Sequence, residues 1–479
     1  MTKAVFAGYD SSGHYNLWVT DGTPAGTSEL SAIGAYSAGL AQDIYPDFTA
    51  LGGEILFEGI GSFLGTGSLP YLWVTNGTSG GTNENTSFEP VNPDFTVLGT
   101  KVIFEADFLT TGYLGLCVSD GTAAGTMELT AAGASSLGLF NIDSVPDFTV
   151  LGSKALFVGF STSGVDLWVT DGTSAGTSEV IVVGSFSTGL FFNGENPDFT
   201  VIGNKALFEG VDSSDHLNLW ATDGTSAGTS ELTVAGTSST GLFNDVSSPD
   251  FTVLGTKWLF EGLDTNYDLG LWASDGTSAG TSELTAANAY KGGLFSNTVA
   301  GNANVVFVDP DLTVLVNKAV FAGYDASGHS NLWVTDGTSA GTSEVTTSNA
   351  FAGGLFNQTN AGTFAASVPD FTVLGTKALF EGYDTSGHIG LWVTDGTSAG
   401  TSELAVAGAN PNGLFLGVSN PDFTVFGSQL LFSGDDAAGH IGLWITNGTA
   451  AGTSEIVAAG ASPSGLVPTD ITVLTPVLP

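Results

Sequence analysis

The sequence predicts an all-β protein built as a closed nine-bladed β-propeller, with four antiparallel strands in each blade. Three observations carry that prediction: a motif repeated nine times, the absence of any helical apolar period, and chain ends that complement one another. The phrase Leu-Trp-Val-Thr-Asp-Gly-Thr, with small variations, places Trp18, Trp73, Trp168, Trp220, Trp272, Trp333, Trp392 and Trp444. A ninth copy, Leu116-Cys117-Val118-Ser119-Asp120-Gly121-Thr122, has cysteine in the tryptophan slot. Trp18 and Trp444 are 426 residues and eight steps apart, a period of about 53, which suits a four-stranded blade.

One unit reads cleanly at 369–404. Asp370-Phe371-Thr372-Val373-Leu374 is a short β-rich run, and Gly375-Thr376 form a two-residue turn into Lys377-Ala378-Leu379-Phe380-Glu381-Gly382. The loop Tyr383–His388 leads to a third strand around Leu391–Thr394, and Asp395–Gly400 turns the chain into a fourth, Thr401–Leu404. No segment has the 3.6-residue apolar spacing of a helix. The chain starts at a second strand, Lys3–Gly8, and finishes with an orphan first strand, Pro468–Leu474. Joining the two completes a blade and removes two exposed edges, whereas an open stack would want polar capping repeats. Residues 1–479 are therefore read as one propeller. Its closing blade is 1–31 plus 468–474, and the others lie at roughly 46–88, 93–130, 146–181, 197–233, 249–285, 310–346, 369–405 and 421–457.

Composition narrows the partners. With 48 acidic groups, eight lysines and no arginine, the net charge is −40, which repels nucleic acid and anionic membranes. Cys117 stands alone, so no intrachain disulfide forms. No apolar run reaches the length of a membrane span, and Met1–Phe6 does not open a cleavable signal peptide. A monomer without membrane insertion is expected.

At Leu332-Trp333-Val334-Thr335-Asp336-Gly337-Thr338-Ser339-Ala340-Gly341-Thr342 and its eight counterparts, the chain resembles the bacterial ELWxxDGTxxGT (hyalin-like) repeat family. The first Glu of that pattern is usually replaced, by Asn16, Tyr71, Asp166 or Gly390 among others. The resemblance implies a secreted or cell-surface protein and brings no shared chemistry with it. A cytoplasmic location is the alternative.

The recurring residues read mostly as structure. Tryptophans alternating within an apolar strand fill the space between blades more often than they stack on sugars. The Asp-Gly-Thr turn lacks the alternating carboxylates of a calcium loop, and Asn76 and Asn447 replace its Asp in two copies. Calcium is kept as the alternative for this turn, and no metal ligand set is assigned. The first-strand Asp, which follows proline in eight units (Asp47, Asp94, Asp198 and Asp422 among them) and Thr469 in the ninth, the fourth-strand Glu (Glu29, Glu179, Glu403) and the turn Asp supply 25 of the 48 acidic groups, so the acidity belongs to one blade copied nine times. Seven lysines sit at the first turn, where pairs with the Asp of the Asp-Gly-Thr turns are expected.

Histidine is the informative rarity. His14, His216, His329, His388 and His440 all fall in the loop between strands two and three. Four of them occupy consecutive blades once the ring closes. A shared zinc ion does not fit, because blades about 10 Å apart cannot bring equivalent imidazoles onto one ion. The plain reading is a loop histidine bonded to its own backbone. The functional reading is a ligand-facing arc of Tyr9, Asp10, His14, Tyr324, Asp325, His329, Tyr383, Asp384, His388 and His440, in which phenol, carboxylate and imidazole suit a sugar. The links between blades share that face and carry Gly293-Leu294-Phe295 and Gly354-Leu355-Phe356. The expected function is non-enzymatic binding of a glycan or cell-surface component, or a structural surface role. A polysaccharide hydrolase using paired carboxylates is the alternative from another class.

Overall fold

A strand flanked by partners on both edges and by neighbouring sheets on both faces is mostly apolar, and Ala378, Leu379 and Phe380 are all fully buried. In the computed structural model this segment is the second strand, Lys377–Tyr383, of the eighth blade. It lies between Thr372–Leu374 and Ile389–Thr394, with Ser402–Glu403 on the outer edge. The structure describes residues 3–479 except 33–34, 38, 42–45, 64–66, 86–88, 91–93, 108–113, 137, 142–145, 193–196, 245, 247–248, 299–304, 308–309, 361–362, 367–368 and 475–479. The same antiparallel order recurs in all nine blades, and Glu89–Pro90 adds a fifth strand to blade three. Two hairpins stand outside the blades, Ser296–Thr298 with Val305–Phe307 and Asn357–Asn360 with Thr363–Ala366. No helix among the described residues is long and apolar enough to cross a membrane.

Closure follows the prediction. Thr469–Leu474 is the innermost strand of the first blade, with Lys3 opposite Leu474, Ala4 opposite Val473 and Val5 opposite Thr472. Each innermost strand touches the innermost strands of the blades before and after it, in an unbroken cycle of nine.

Side chains join these inner strands where backbones are too far apart to pair. In eight blades the carboxylate of the inner-strand aspartate accepts the backbone N–H of the Phe, Leu or Ile in the next blade. Oδ2 of Asp47 accepts from Phe95 at 3.3 Å, Asp311 from Phe371 at 2.6 Å, Asp422 from Ile471 at 2.6 Å and Asp470 from Phe48 at 3.3 Å. Asp94, Asp147, Asp198 and Asp250 do likewise. The threonine two residues on donates back to the carbonyl of that same Phe, as Thr49 does to Phe95 and Thr424 to Ile471. Eight of the nine aspartates have φ between 43° and 55°, a region Asp enters more readily than most residues.

Between blades the tryptophans are structural. All eight motif tryptophans are fully buried, and each of their indole N–H groups donates to the carbonyl of a glycine on the second strand, as Trp392 does to Gly382 at 2.9 Å and Trp444 to Gly434 at 2.9 Å. A Cβ on Gly382 would lie 3.0 Å from Trp392 Cδ1 and 2.9 Å from Leu355 Cδ1, so the indole requires glycine beside it. In blade three, where Cys117 replaces the tryptophan, the partner position carries Ala106. Both members of the pair have changed together. Gly382→Ala is therefore expected to cost about 1–3 kcal/mol by overpacking. Ala106→Gly should cost only about 0.5–1 kcal/mol. Denaturant melts of the two variants check this, and equal losses would contradict it.

The inner aspartates and a set of buried second-strand glutamates crowd negative charge near the axis. Burial first, and Asp47 second, push Glu58 up to about 7. Burial and Asp94 push Glu105 to about 9, and burial raises Asp147 and Asp470 to about 7 and Glu381 to about 8. Glu105 is 2% exposed, and its Oε2 has no hydrogen-bond partner among the described residues. These groups bind protons in the folded state that the unfolded chain, with carboxyls near 4, has released. Their contribution is thus fully present below about pH 4 and is lost as pH rises toward the folded values of about 7 to 9. The protein should melt lower at pH 8 than at pH 5. Glu105→Gln should raise the melting temperature at pH 8, by a stability gain on the order of a few kcal/mol, and change little at pH 4. A pH series of thermal melts on both proteins would show a flat difference if the burial argument were wrong.

Candidate functional site: the histidine-loop clefts

A candidate site must use side chains that the fold does not already consume, and the Asp-Gly-Thr turns are fully consumed. In blade four the N–H and hydroxyl of Thr173 both donate to Asp171 Oδ1, at 3.0 and 2.6 Å. Gly176 N–H donates to Thr173 Oγ1 at 3.1 Å and caps a single 3₁₀ turn, Ser174–Gly176. Behind it Thr170 and Thr177 share a hydroxyl–hydroxyl bond of 2.7 Å. Asn76 and Asn447 make the same bonds with their amide oxygens, so the carboxylate charge is dispensable. The first-turn lysines do gather at these turns, but their partner differs from the expected Asp carboxylate. Lys257 donates to the carbonyl of Gly337 at 2.7 Å and Lys101 to that of Gly172 at 3.4 Å, each in the next blade. No Lys–Asp contact within 4.0 Å occurs among the described residues. The glycine carbonyls lie directly beneath the lysine stems, whereas each turn Asp is folded onto its own threonine.

The opposite face differs. In each histidine loop the Asp carboxylate organises the turn through Oδ1, as Asp384 Oδ1 accepts from Ser386 N at 2.7 Å and His388 N at 2.9 Å. Oδ2 faces the imidazole: Nδ1 lies 3.4 Å from it in His14–Asp10, 3.5 Å in His329–Asp325 and His440–Asp436, and 3.8 Å in His216–Asp212 and His388–Asp384. The loop is thus bonded to the Asp side chain, and the imidazole stays 38–47% exposed. Burial raises Asp10, but the backbone N–H groups of His14 and Ser12 outweigh it and hold the carboxyl below its usual value.

Two expectations about this face need correction. Tyr324 and Tyr383 are 2% and 4% exposed, so their phenols are packed below the loop, and burial pushes Tyr324 up to about 12. Only Tyr9 reaches the surface, where it lies against Tyr15 with ring centroids 4.6 Å apart. Leu294, Phe295, Leu355 and Phe356 are buried as well, and they seal neighbouring blades together. Tertiary packing draws these residues at the strand ends and in the links inward.

What remains open is a cleft at the outer end of the blade. In blade eight it holds about 200 Å³ between Asp384, His388, Gly390, Glu403, Asn410 and Pro411. In blade five it holds about 130 Å³, beside His216, Asn218 and Glu231. The blade-to-blade link forms one wall, and the links reach the histidine loops through bridges such as Ala350 to Asp384 and Ala409 to Asp436. Burial, then the charge of Asp384, raises the Glu403 carboxyl, with His388 acting against both. Sequence reading placed the histidines and missed the fourth-strand glutamate as their companion. The available signal was its register opposite the tryptophan slot in every blade, as in Trp392 with Glu403, with Cys117 opposite Glu128 in blade three. Among the described residues, no group of three His, Cys, Asp or Glu side chains converges closely enough to hold a metal ion.

No family model and no curated protein matches the chain. Solved structures do. A puromycin hydrolase is 14% identical, with 77% of this chain and 54% of that chain covered and a TM-score of 0.35. The β-propeller domain of the Trilobed protease from Pyrococcus furiosus is 11% identical over 86% of this chain and 98% of that one, with a TM-score of 0.34. The BP39L lectin from Burkholderia pseudomallei is 13% identical over 75% and 95%, with a TM-score of 0.31. The chain spans about half the length of the hydrolase. At these identities and scores none of them informs activity.

The turn geometry has a direct check. Asp171→Asn should leave stability unchanged, whereas Asp171→Ala should cost about 1 kcal/mol, as the loss of a side-chain cap does. A fall in stability with Asn equal to that with Ala, or a calcium-dependent melting temperature abolished by Asn, would overturn the structural reading of the turn.

Proposed function

We propose that the protein is a non-enzymatic binding propeller that holds a neutral glycan of a cell surface on its histidine-bearing face, outside the cell. The observation that carries this reading is the division of labour among the repeated polar groups. Inner aspartates, turn aspartates and indole N–H groups are bonded within the scaffold, while the imidazole edge and Glu403 line an open cleft. Recognition on loops over a rigid frame is the usual arrangement. The extracellular setting rests on the resemblance to the ELWxxDGTxxGT repeats.

Replacing His14, His329, His388 and His440 together by alanine is expected to weaken binding to any neutral polysaccharide the wild type retains. The melting temperature should barely move, since half-exposed side chains contribute within about 0.5 kcal/mol each. Affinity electrophoresis against a panel of neutral and acidic polysaccharides, with hydrolysis followed by reducing ends, tests it. Release of reducing sugar, or binding that survives the fourfold change, would sink this reading.

A further inference from the structure

The clefts are not equivalent, and one residue two positions before the tryptophan sorts them. In blades one and seven that residue is asparagine. Asn16 Nδ2 donates to Glu29 Oε1 at 2.9 Å while its Oδ1 accepts the N–H of Leu40 at 3.0 Å. Asn331 does the same with Glu344 at 3.0 Å and Leu355 at 3.0 Å. Each asparagine also reaches its loop aspartate, Asn16 to Asp10 Oδ2 at 3.5 Å and Asn331 to Asp325 Oδ2 at 3.4 Å. It therefore plugs the floor of the cleft and occupies the glutamate. In blade five Asn218 is likewise tied to Asp212 and Leu242, and the cleft there is the smaller one.

In blades eight and nine the same position is Gly390 and Gly442. A Cβ added there would stand 2.6 Å from Glu403 Oε1 and 2.5 Å from Glu455 Oε1, so the carboxylates lean into the space an asparagine fills elsewhere. Among the described residues, neither the Glu403 nor the Glu455 carboxylate has a hydrogen-bond partner. Gly270 leaves a similar gap beside Glu283 in blade six, but the histidine position there is Asp268. Among the described residues, a glycine at this position, a glutamate carboxylate without a partner and an imidazole coincide only in blades eight and nine; in blade five Glu231 also lacks a partner beside His216, but Asn218 fills the place of the glycine.

Building on the glycan-binding reading above, we propose that the ligand sites are the blade-eight and blade-nine clefts, where Glu403 and Glu455 each accept two neighbouring hydroxyls of an uncharged pyranose. A carboxylate has acceptor sites on both oxygens and makes stronger hydrogen bonds than a neutral group. The imidazole of His388 or His440, fixed by its aspartate, supplies a further polar edge, and Leu404, Val406 and Leu414 supply an apolar wall in blade eight. At about 200 Å³ the cleft takes one sugar ring, since drug-sized ligands occupy about 300–1,000 Å³. Uronates and other acidic sugars are disfavoured by the glutamate, by Asp384 and by the overall charge of −40.

The test uses the whole chain and four double variants, titrated calorimetrically with maltohexaose, cellohexaose and mannohexaose, with hexagalacturonate as the acidic probe. Wild type is expected to bind at least one neutral hexamer and not hexagalacturonate. Gly390→Asn with Gly442→Asn should weaken that binding about tenfold or more, as should Glu403→Gln with Glu455→Gln. Glu29→Gln with Glu344→Gln should leave it unchanged, and Asn16→Gly with Asn331→Gly should add sites to the stoichiometry. Melting temperatures establish that each variant is folded. If wild type binds a neutral hexamer and the glycine-to-asparagine variant binds it equally well, or if Glu29 and Glu344 prove to be the required pair, this assignment is wrong while the glycan reading stands. Binding of hexagalacturonate alone overturns the choice of ligand class, and a wild type that binds none of the four overturns both.

Discussion

The ring depends on the bonds between inner aspartates and the backbone N–H groups of the following blades. Neighbouring inner strands in a propeller diverge around an axis and cannot form a continuous backbone ladder, so their polar groups need other partners. The Asp carboxylate and the Thr hydroxyl of the inner strands, as in the Pro46-Asp47-Phe48-Thr49 segment, act as that partner, accepting one bond and donating another to the same residue of the next blade. Because Asp422 reaches Ile471 and Asp470 reaches Phe48, the C-terminal strand is locked on both sides. The same device places carboxylates in the interior, where burial first and neighbouring carboxylates second raise Asp147 and Asp470 to about 7 against the lowering effect of the hydrogen bond itself. Closure and acid-side stability therefore both follow from burying these carboxylates between inner strands.

The second constraint lies between blades. A buried indole pressed against a neighbouring sheet needs an acceptor for its N–H and room for its ring, and one glycine satisfies both. Repetition makes the coupling visible within a single chain: eight Trp–Gly pairs and one Cys–Ala pair, with no mixed pair. Once these demands and the turn bonds are met, few repeated polar groups remain for anything else. The remainder is concentrated on the histidine face, where the glutamate, the imidazole and the Asn or Gly position vary from blade to blade.

Much of this was legible in the sequence. Period, strand order, the turn role of Asp-Gly-Thr, the buried tryptophans and the shared face of histidine loops and links all follow from residue types at fixed offsets, because those features are local or are copied nine times. The pairing of Lys3–Ala4–Val5 with Thr472–Val473–Leu474 followed from complementary ends. Tertiary structure alone decided the rest, wherever the outcome depends on which surfaces meet. Burial of Tyr324 and Tyr383, capture of Lys257 by a carbonyl in another blade and the Asp-to-next-blade bonds each join residues far apart in the chain. The pattern of one blade describes that blade well, but an interface between two blades is written in both, and only their packing shows which atoms come within reach.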